Sequence, residues 1–254
     1  MLRKPLYLVL FLLTIQVSIG CTTKVDGLMV SKAMTYDALV ERQIIAAGVV
    51  NASGAIDIGD SNSLAQQMRN MVTEERKGLQ VMDVSAVSSK LGQAKYKDLL
   101  KNYQKNAGLS QQQMTDLQKA LGRATFIALA RVDRNDLTKT SSETSGNEYK
   151  DEKGRKQYKP GEVVRTHRRT MGVTMHIYDL KNKELAFTGT VTKSEDNVSR
   201  YEKNLISGVV SIINASKGDG RDDGYPYPRA PSEASVMGPV FKGFAQNFPK
   251  KKKK

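Results

Sequence analysis

Apolar and polar positions recur along this chain with two different periods, and the places where the period changes mark out its elements. Residues 43–51, QIIAAGVVN, form a short apolar run bounded by polar residues. Its brevity and its Ile and Val content predict a buried strand. After punctuation at 57–61, Ser63 and Gln66 make a Ser-x-x-Gln capping box ahead of Leu64, Met68, Met71 and Val72, which recur at helical spacing. Gly78 can stop that helix. Residues 79–87 then alternate, with Leu79, Val81 and Asp83 against Met82, Val84 and Ala86, which predicts a second strand. Strand, helix and strand in that order imply a right-handed crossover if the two strands pair in parallel.

The clearest local signals follow. Tyr96, Leu99, Leu100, Tyr103 and Ala107 make one apolar helix face with lysines at 95, 97, 101 and 105 around it, and Gly108 ends the helix. Such a lysine-rich face either meets an acidic partner or is simply solvated. Ser110 and Gln113 form a capping box for a further helix carrying Met114, Leu117 and Leu121. Residues 125–132, TFIALARV, predict a third strand. The polar segment 135–163 is long for an internal connection, so it is either a mobile loop or the tip of an extended hairpin. A long strand over 164–178 places Val173, Met175 and Ile177 on one face and Thr174, His176 and Tyr178 on the other. A turn at 179–183 and a return strand over 184–193, with Leu185, Phe187 and Val191 alternating, complete an antiparallel hairpin. Leu205, Ile206, Val209, Val210, Ile212 and Ile213 predict another amphipathic helix. Residues 217–231 read as loop, and a last short helix carries Val236, Val240, Phe241 and Phe244.

The predicted fold class is therefore α/β: a single domain with a mixed β-sheet flanked by helices and a long antiparallel hairpin. The organisation expected is a signal segment at 1–20, a tether at 21–38, the α/β domain at 39–216, a C-terminal loop and short helix at 217–248, and a disordered poly-Lys arm at 249–254.

The signal segment is read from its layout. Arg3 and Lys4 precede an uncharged apolar run at 6–13, followed by a weaker stretch ending in Ser18 and Gly20. The run falls short of the ~20 residues a bilayer-spanning helix needs, which favours a cleaved or anchored signal. Removing residues 1–20 takes away those two basic residues and no acidic one, lowering the net charge from +14 to +12. The remaining chain is long enough to bury a core. Its basic balance suits a neighbour rich in anionic groups, such as lipid headgroups, lipopolysaccharide or wall polymers. Aromatic residues are 6% of the chain and Trp is absent, which gives little support to a base-stacking surface, so no nucleic acid is expected.

Cys21 is the single cysteine, so an intramolecular disulfide is excluded. The segment ahead of it, with Ile19 and Gly20 directly before Cys21, resembles a bacterial lipoprotein signal. That resemblance implies cleavage after Gly20, lipidation (palmitate) of Cys21, and, with Thr22 in place of a retention signal, sorting to the outer membrane. The alternative is an ordinary secreted protein whose lone Cys is incidental.

Signatures of catalytic or metal chemistry are sparse in the chain. No Gly-x-Ser-x-Gly elbow, P-loop or His-Glu-x-x-His occurs. His167 and His176 are nine apart on one predicted strand, which aims them at opposite faces and makes a poor metal site. The segment 219–224 mimics a calcium loop but carries Arg221 at the third ligand position, so it reads as a solvated turn. No metal, cofactor or catalytic set is expected. Arg165, His167, Arg168 and Arg169 cluster at the start of the long strand. They either form a patch that grips phosphate or carboxylate groups or blunt the strand where it leaves the sheet. The run Lys250, Lys251, Lys252, Lys253 and Lys254 is a second candidate anion-binding element.

The stretches IIAAGVVN (44–51), LQVMDVSAVSSKLG (79–92), ATFIALARV (124–132) and MGVTMHIYDLKNKELAFTGTV (171–191) together resemble the periplasmic domain shared by CsgG-like curli-secretion lipoproteins and LpoB-like activators of penicillin-binding proteins. The polar 135–163 segment does not supply the membrane-spanning hairpins of a curli channel. The resemblance thus implies a non-enzymatic adaptor or activator in the periplasm. Its partners would be the membrane through Cys21 and another envelope protein or wall component. The rival is a basic envelope-surface binder of anionic polymers or lipids acting through the lysine run. An enzyme whose site no motif reveals is a third class.

Overall fold

The computed structural model describes residues 23–122, 125–203 and 224–251 of the chain. The signal segment, Cys21, the helix expected around Leu205 to Ile213, most of the calcium-like loop, and Lys252, Lys253 and Lys254 lie outside the described residues.

The α/β class holds. Six strands form one mixed sheet, and two more form a small separate hairpin. The strands are β1 (Asp26–Val30), β2 (Ile44–Asn51), β3 (Val81–Met82), β4 (Phe126–Glu143), β5 (Asn147–Lys150), β6 (Lys156–Lys159), β7 (Glu162–Asp179) and β8 (Glu184–Glu202). The helices are α1 (Tyr36–Arg42), α2 (Ile58–Glu75), α3 (Ser85–Leu91), α4 (Gln93–Asn106), α5 (Gln111–Leu121) and α6 (Glu233–Gln246). β2 runs parallel to both β3 and β4, while β4, β7, β8 and β1 pair antiparallel in turn.

α2 and α6 cover one face of this sheet, and α4, with α3 and α5 beside it, covers the other. On the first face Val173, Met175, Ile177 and Phe187 meet Val240, Phe241 and Phe244 of α6, all fully buried. Each such side chain contributes roughly 1.5–3 kcal/mol by leaving water. On the second face Tyr96, Leu100 and Tyr103 of α4 are fully buried, which is the apolar stripe their spacing predicts. Ser110 and Gln113 do form the reciprocal capping box that starts α5. α6 is fourteen residues long and central to the core, more than a short appended helix.

Three expectations are corrected. Residues 79–87 are not a strand: only Val81 and Met82 pair, and α3 begins at Ser85, whose amide donates to the Asp83 carboxylate at 2.8 Å. α2 starts earlier than its expected box at Ser63, because Asp57 accepts from the Asp60 amide at 3.0 Å and caps the helix there. The stretch expected as tether is partly structured, since Asp26–Val30 pairs with β8 as an edge strand and α1 begins at Tyr36.

The segment 135–163 resolves as an extended hairpin rather than a loop. β4 and β7 stay paired from Phe126 and Asp179 out to Glu143 and Val163, and β8 accompanies β7 to Glu202. Near the middle of β4 the register shifts between Val132 and Arg134, leaving Asp133 as an extra residue. This bulge inverts side-chain parity, so the odd-numbered residues of β4 change faces as they pass it.

Candidate docking surface

Beyond the bulge, β4, β7 and β8 continue as a three-stranded blade past α4, with the β5–β6 hairpin at its tip. One blade face is crossed by residues 225–232. Prolines at 226, 228 and 231 keep this strap extended and remove amide donors from it, so its carbonyls are met by side chains of the blade. The Arg169 Nε donates to the Pro231 carbonyl at 2.7 Å, the Asn197 amide to that of Arg229 at 2.8 Å, and the Tyr201 hydroxyl to that of Pro226 at 2.8 Å. His167 Nδ1 lies 3.1 Å from the Pro228 carbonyl. A carbonyl can only accept, so this imidazole carries its proton on Nδ1. The Tyr227 ring faces two cations, with Lys139 Nζ at 5.3 Å and the Arg165 guanidinium at 5.2 Å from its centroid.

The four residues expected as one basic cluster are therefore divided. Arg165, His167 and Arg169 share the strapped face, where Arg169 also donates to Asn135 Oδ1 at 2.6 Å and pairs with Glu233 at 3.3 Å. Arg168 projects from the opposite face and holds Asp196 on β8 through two bonds of 2.6 and 2.7 Å. Those bonds lower the Asp196 carboxyl below its ordinary pKa and raise the Arg168 guanidinium. The cluster reads in sequence either as a patch for an external anion or as charges that blunt the strand; in the structure Arg169 and His167 bond to carbonyls of the strap.

The opposite face is crossed by no described element. By register, Thr140, Thr166 and Val198 form one row across it, and Asp136, Thr170 and Ser194 another, with the last two hydroxyls 2.7 Å apart. Its charges are matched locally: Arg168 with Asp196, Arg134 with Asp136, and Arg200 with Glu162. Val198 keeps 48% of its surface exposed in the middle of these hydroxyls. The result is a nearly neutral, hydroxyl-rich sheet surface, suited to a partner that brings hydrogen-bonding groups and a small apolar contact. Alternating threonines were visible in the sequence, but without the bulge their common face could not be assigned.

Where the same face enters the body, His176 lies under α4. Its Nδ1 is 2.8 Å from the Tyr103 hydroxyl, which is also 3.1 Å from the Leu129 carbonyl. Burial lowers the His176 pKa, Arg131 lowers it further, and Asp133 works against both. His167 and His176 do face opposite sides of the sheet. Among the described residues no group of three or more His, Cys, Asp or Glu side chains is arranged to hold a metal ion, and no helix is long and apolar enough to cross a membrane. Lys250 and Lys251 are exposed just after the end of α6.

No family model matches the chain, and no curated protein matches it. Among solved structures it is similar to the PelC dodecamer from Paraburkholderia phytofirmans, at 11% identity and a TM-score of 0.34, covering 90% of this chain and 99% of that one. It is also similar to the lipoprotein GNA1162 from Neisseria meningitidis, at 13% identity and a TM-score of 0.36, covering 70% of this chain and 98% of that one.

Proposed function

We propose that this chain is a lipid-anchored cell-envelope protein that acts as a non-enzymatic adaptor or activator, by binding another envelope component. The observation that carries this reading is the blade. It is a projecting sheet bonded to a strap on one side, with a hydroxyl-rich face left uncovered by the described residues on the other. Anchorage is supported by the Ile19, Gly20, Cys21 order, and Thr22 favours delivery to the outer membrane, with the domain on its periplasmic side.

A photo-crosslinking side chain placed at Thr140 or Val198 in intact envelopes tests the binding role. The expected result is a discrete protein adduct, identified by mass spectrometry, that is absent when the probe sits at Lys101 on α4. Equal adducts from both positions would sink the assignment of this face. Palmitate labelling of wild type beside Cys21→Ser tests the anchor, and equal labelling would end the lipid-anchored part of the reading.

A further inference from the structure

The two ends of the described chain meet. Thr23 lies across α6, where its amide donates to Gln246 Oε1 at 3.4 Å and its carbonyl accepts from Asn247 Nδ2 at 3.4 Å. Gly243 is bare there because a Cβ would come within 2.8 Å of Thr23. The chain leaving α6 is fixed at the same corner. Arg76 donates to the carbonyls of Gln246 and Phe248, and the buried Phe248 ring packs edge-on against Phe187 of β8 at 5.2 Å. Cys21 is two residues before Thr23, and Lys250 is two residues after Phe248, followed by four further lysines. Each two-residue link spans at most about 7 Å.

Two neighbours give this corner a further character. Val30 is registered opposite Phe187, and with Leu28 and Met29 it leaves about 40% of its surface exposed along the edge strand. Two acidic groups near it are ion-paired, Asp26 with Lys24 at 3.0 Å and Glu75 with Lys242 at 3.8 Å, and the exposed Glu184 accepts from the Ser31 hydroxyl at 3.4 Å. An apolar edge flanked by lysines, beside the residue proposed to carry lipid, has the makeup of a surface resting at a bilayer interface.

We infer that this corner is a membrane seat for an anionic leaflet, in which residues 250–254 grip lipid headgroups beside the acyl anchor and the Leu28, Met29, Val30 edge lies against the interface. The inference rests on the lipid-anchored reading, and it adds an orientation. Phe187 marks the seat and Tyr201 lies near the blade tip, fourteen residues along β8. At ~3.3 Å per residue the blade tip lies about 45 Å along β8 from the seat. One acyl signal alone gives marginal binding, and a polybasic segment is the kind of second signal that makes it firm.

The test uses the full chain reconstituted into vesicles of phosphatidylcholine alone or with one third phosphatidylglycerol. Flotation of wild type is expected to favour the anionic vesicles by at least about tenfold, and the five-site variant Lys250→Gln through Lys254→Gln to lose that preference. Trypsin cleavage after residues 250–253 is expected to slow by a similar factor on anionic vesicles, while cleavage after Lys153 at the blade tip does not change. Raising salt to about 1 M, where the screening length is ~3 Å, is expected to abolish both effects. Equal flotation of wild type on the two vesicle types, or equal protection of Lys153 and the lysine run, would overturn the seat. Acyl mass on Cys21 and flotation on neutral vesicles report the anchor separately, so a failed anchor and a failed seat give different results.

Discussion

Arg42 at the end of α1 and Asp179 at the end of β7 form a two-bonded ion pair whose carboxylate is 0% exposed and whose guanidinium is 9% exposed. Asp179 also accepts from the Lys181 amide at 2.8 Å and from Asn182 Nδ2 at 2.9 Å, while the guanidinium stacks 4.2 Å from the centre of the Phe126 ring. One carboxylate thus ties the first helix to the β7–β8 turn. Asp179→Ala strands a buried cation and is expected to cost about 3–5 kcal/mol in urea unfolding. Adding Arg42→Met to that variant removes the stranded charge and is expected to recover part of the loss. Simple additivity of the two costs would contradict the pairing.

The strap is held by Arg169, His167, Asn197 and Tyr201. Arg169→Ala removes donors to Pro231, Asn135 and Glu233 together, with an expected cost of about 1–3 kcal/mol concentrated locally. Amide exchange in the non-proline positions of 225–232 reports it. Faster exchange there, with α4 amides unchanged, is the expected pattern. Arg168→Ala, whose partner is the exposed Asp196, is expected to leave strap exchange untouched.

His176 gives the fold a pH dependence of definite sign. Its folded pKa is depressed below the ordinary value of about 6.5, so the unfolded chain binds the proton more tightly. Stability is therefore expected to fall as pH drops through about 6.5 toward the folded value, by no more than ~1.4 kcal/mol per pH unit, and to level off below it. Urea midpoints from pH 7.5 down to pH 5 measure this. His176→Gln is expected to flatten that slope, and an unchanged slope would assign it to other groups.

Gly161 stands where the tip hairpin leaves the blade. A Cβ at this position would lie 2.3 Å from the Thr144 carbonyl oxygen and 2.9 Å from the Gly146 nitrogen, and neither backbone atom can step aside cheaply. Gly161→Ala is expected to loosen the Glu162 to Thr144 bonds and speed exchange across β5 and β6. The urea midpoint of the body is expected to stay nearly constant. A large global loss would mean that the tip is coupled to the core.

Legibility in the sequence followed burial. The α4 stripe and the Val173, Met175, Ile177 face were readable because each pits one dry side against one wet side. The β1 strand hid because all five of its residues are exposed at a sheet edge, so no alternation marks it. The outer half of β4 hid for the related reason that polar residues line both blade faces. Residues 79–87 misled in the opposite direction: apolar residues alternate there, but at the fifth position the Asp83 carboxylate accepts from the Ser85 amide in the turn that leads into α3. The basic cluster was legible as a set of charges. Its split between two faces follows from strand parity, while the partners of its strapped half, the carbonyls of 226–231, lie some sixty residues away.

The extra residue at Asp133 has a consequence for how such a blade changes over evolutionary time. Removing one residue there would exchange the faces of everything beyond it on β4, moving Leu137 and Lys139 from the strapped face to the uncovered one and Thr138 and Thr140 the other way. A single-codon deletion would thereby rewrite the display of that strand at one stroke, whereas point substitutions would need several coordinated steps. Recognition in proteins of this architecture can diverge by changes in chain length, with the body beneath left as it was.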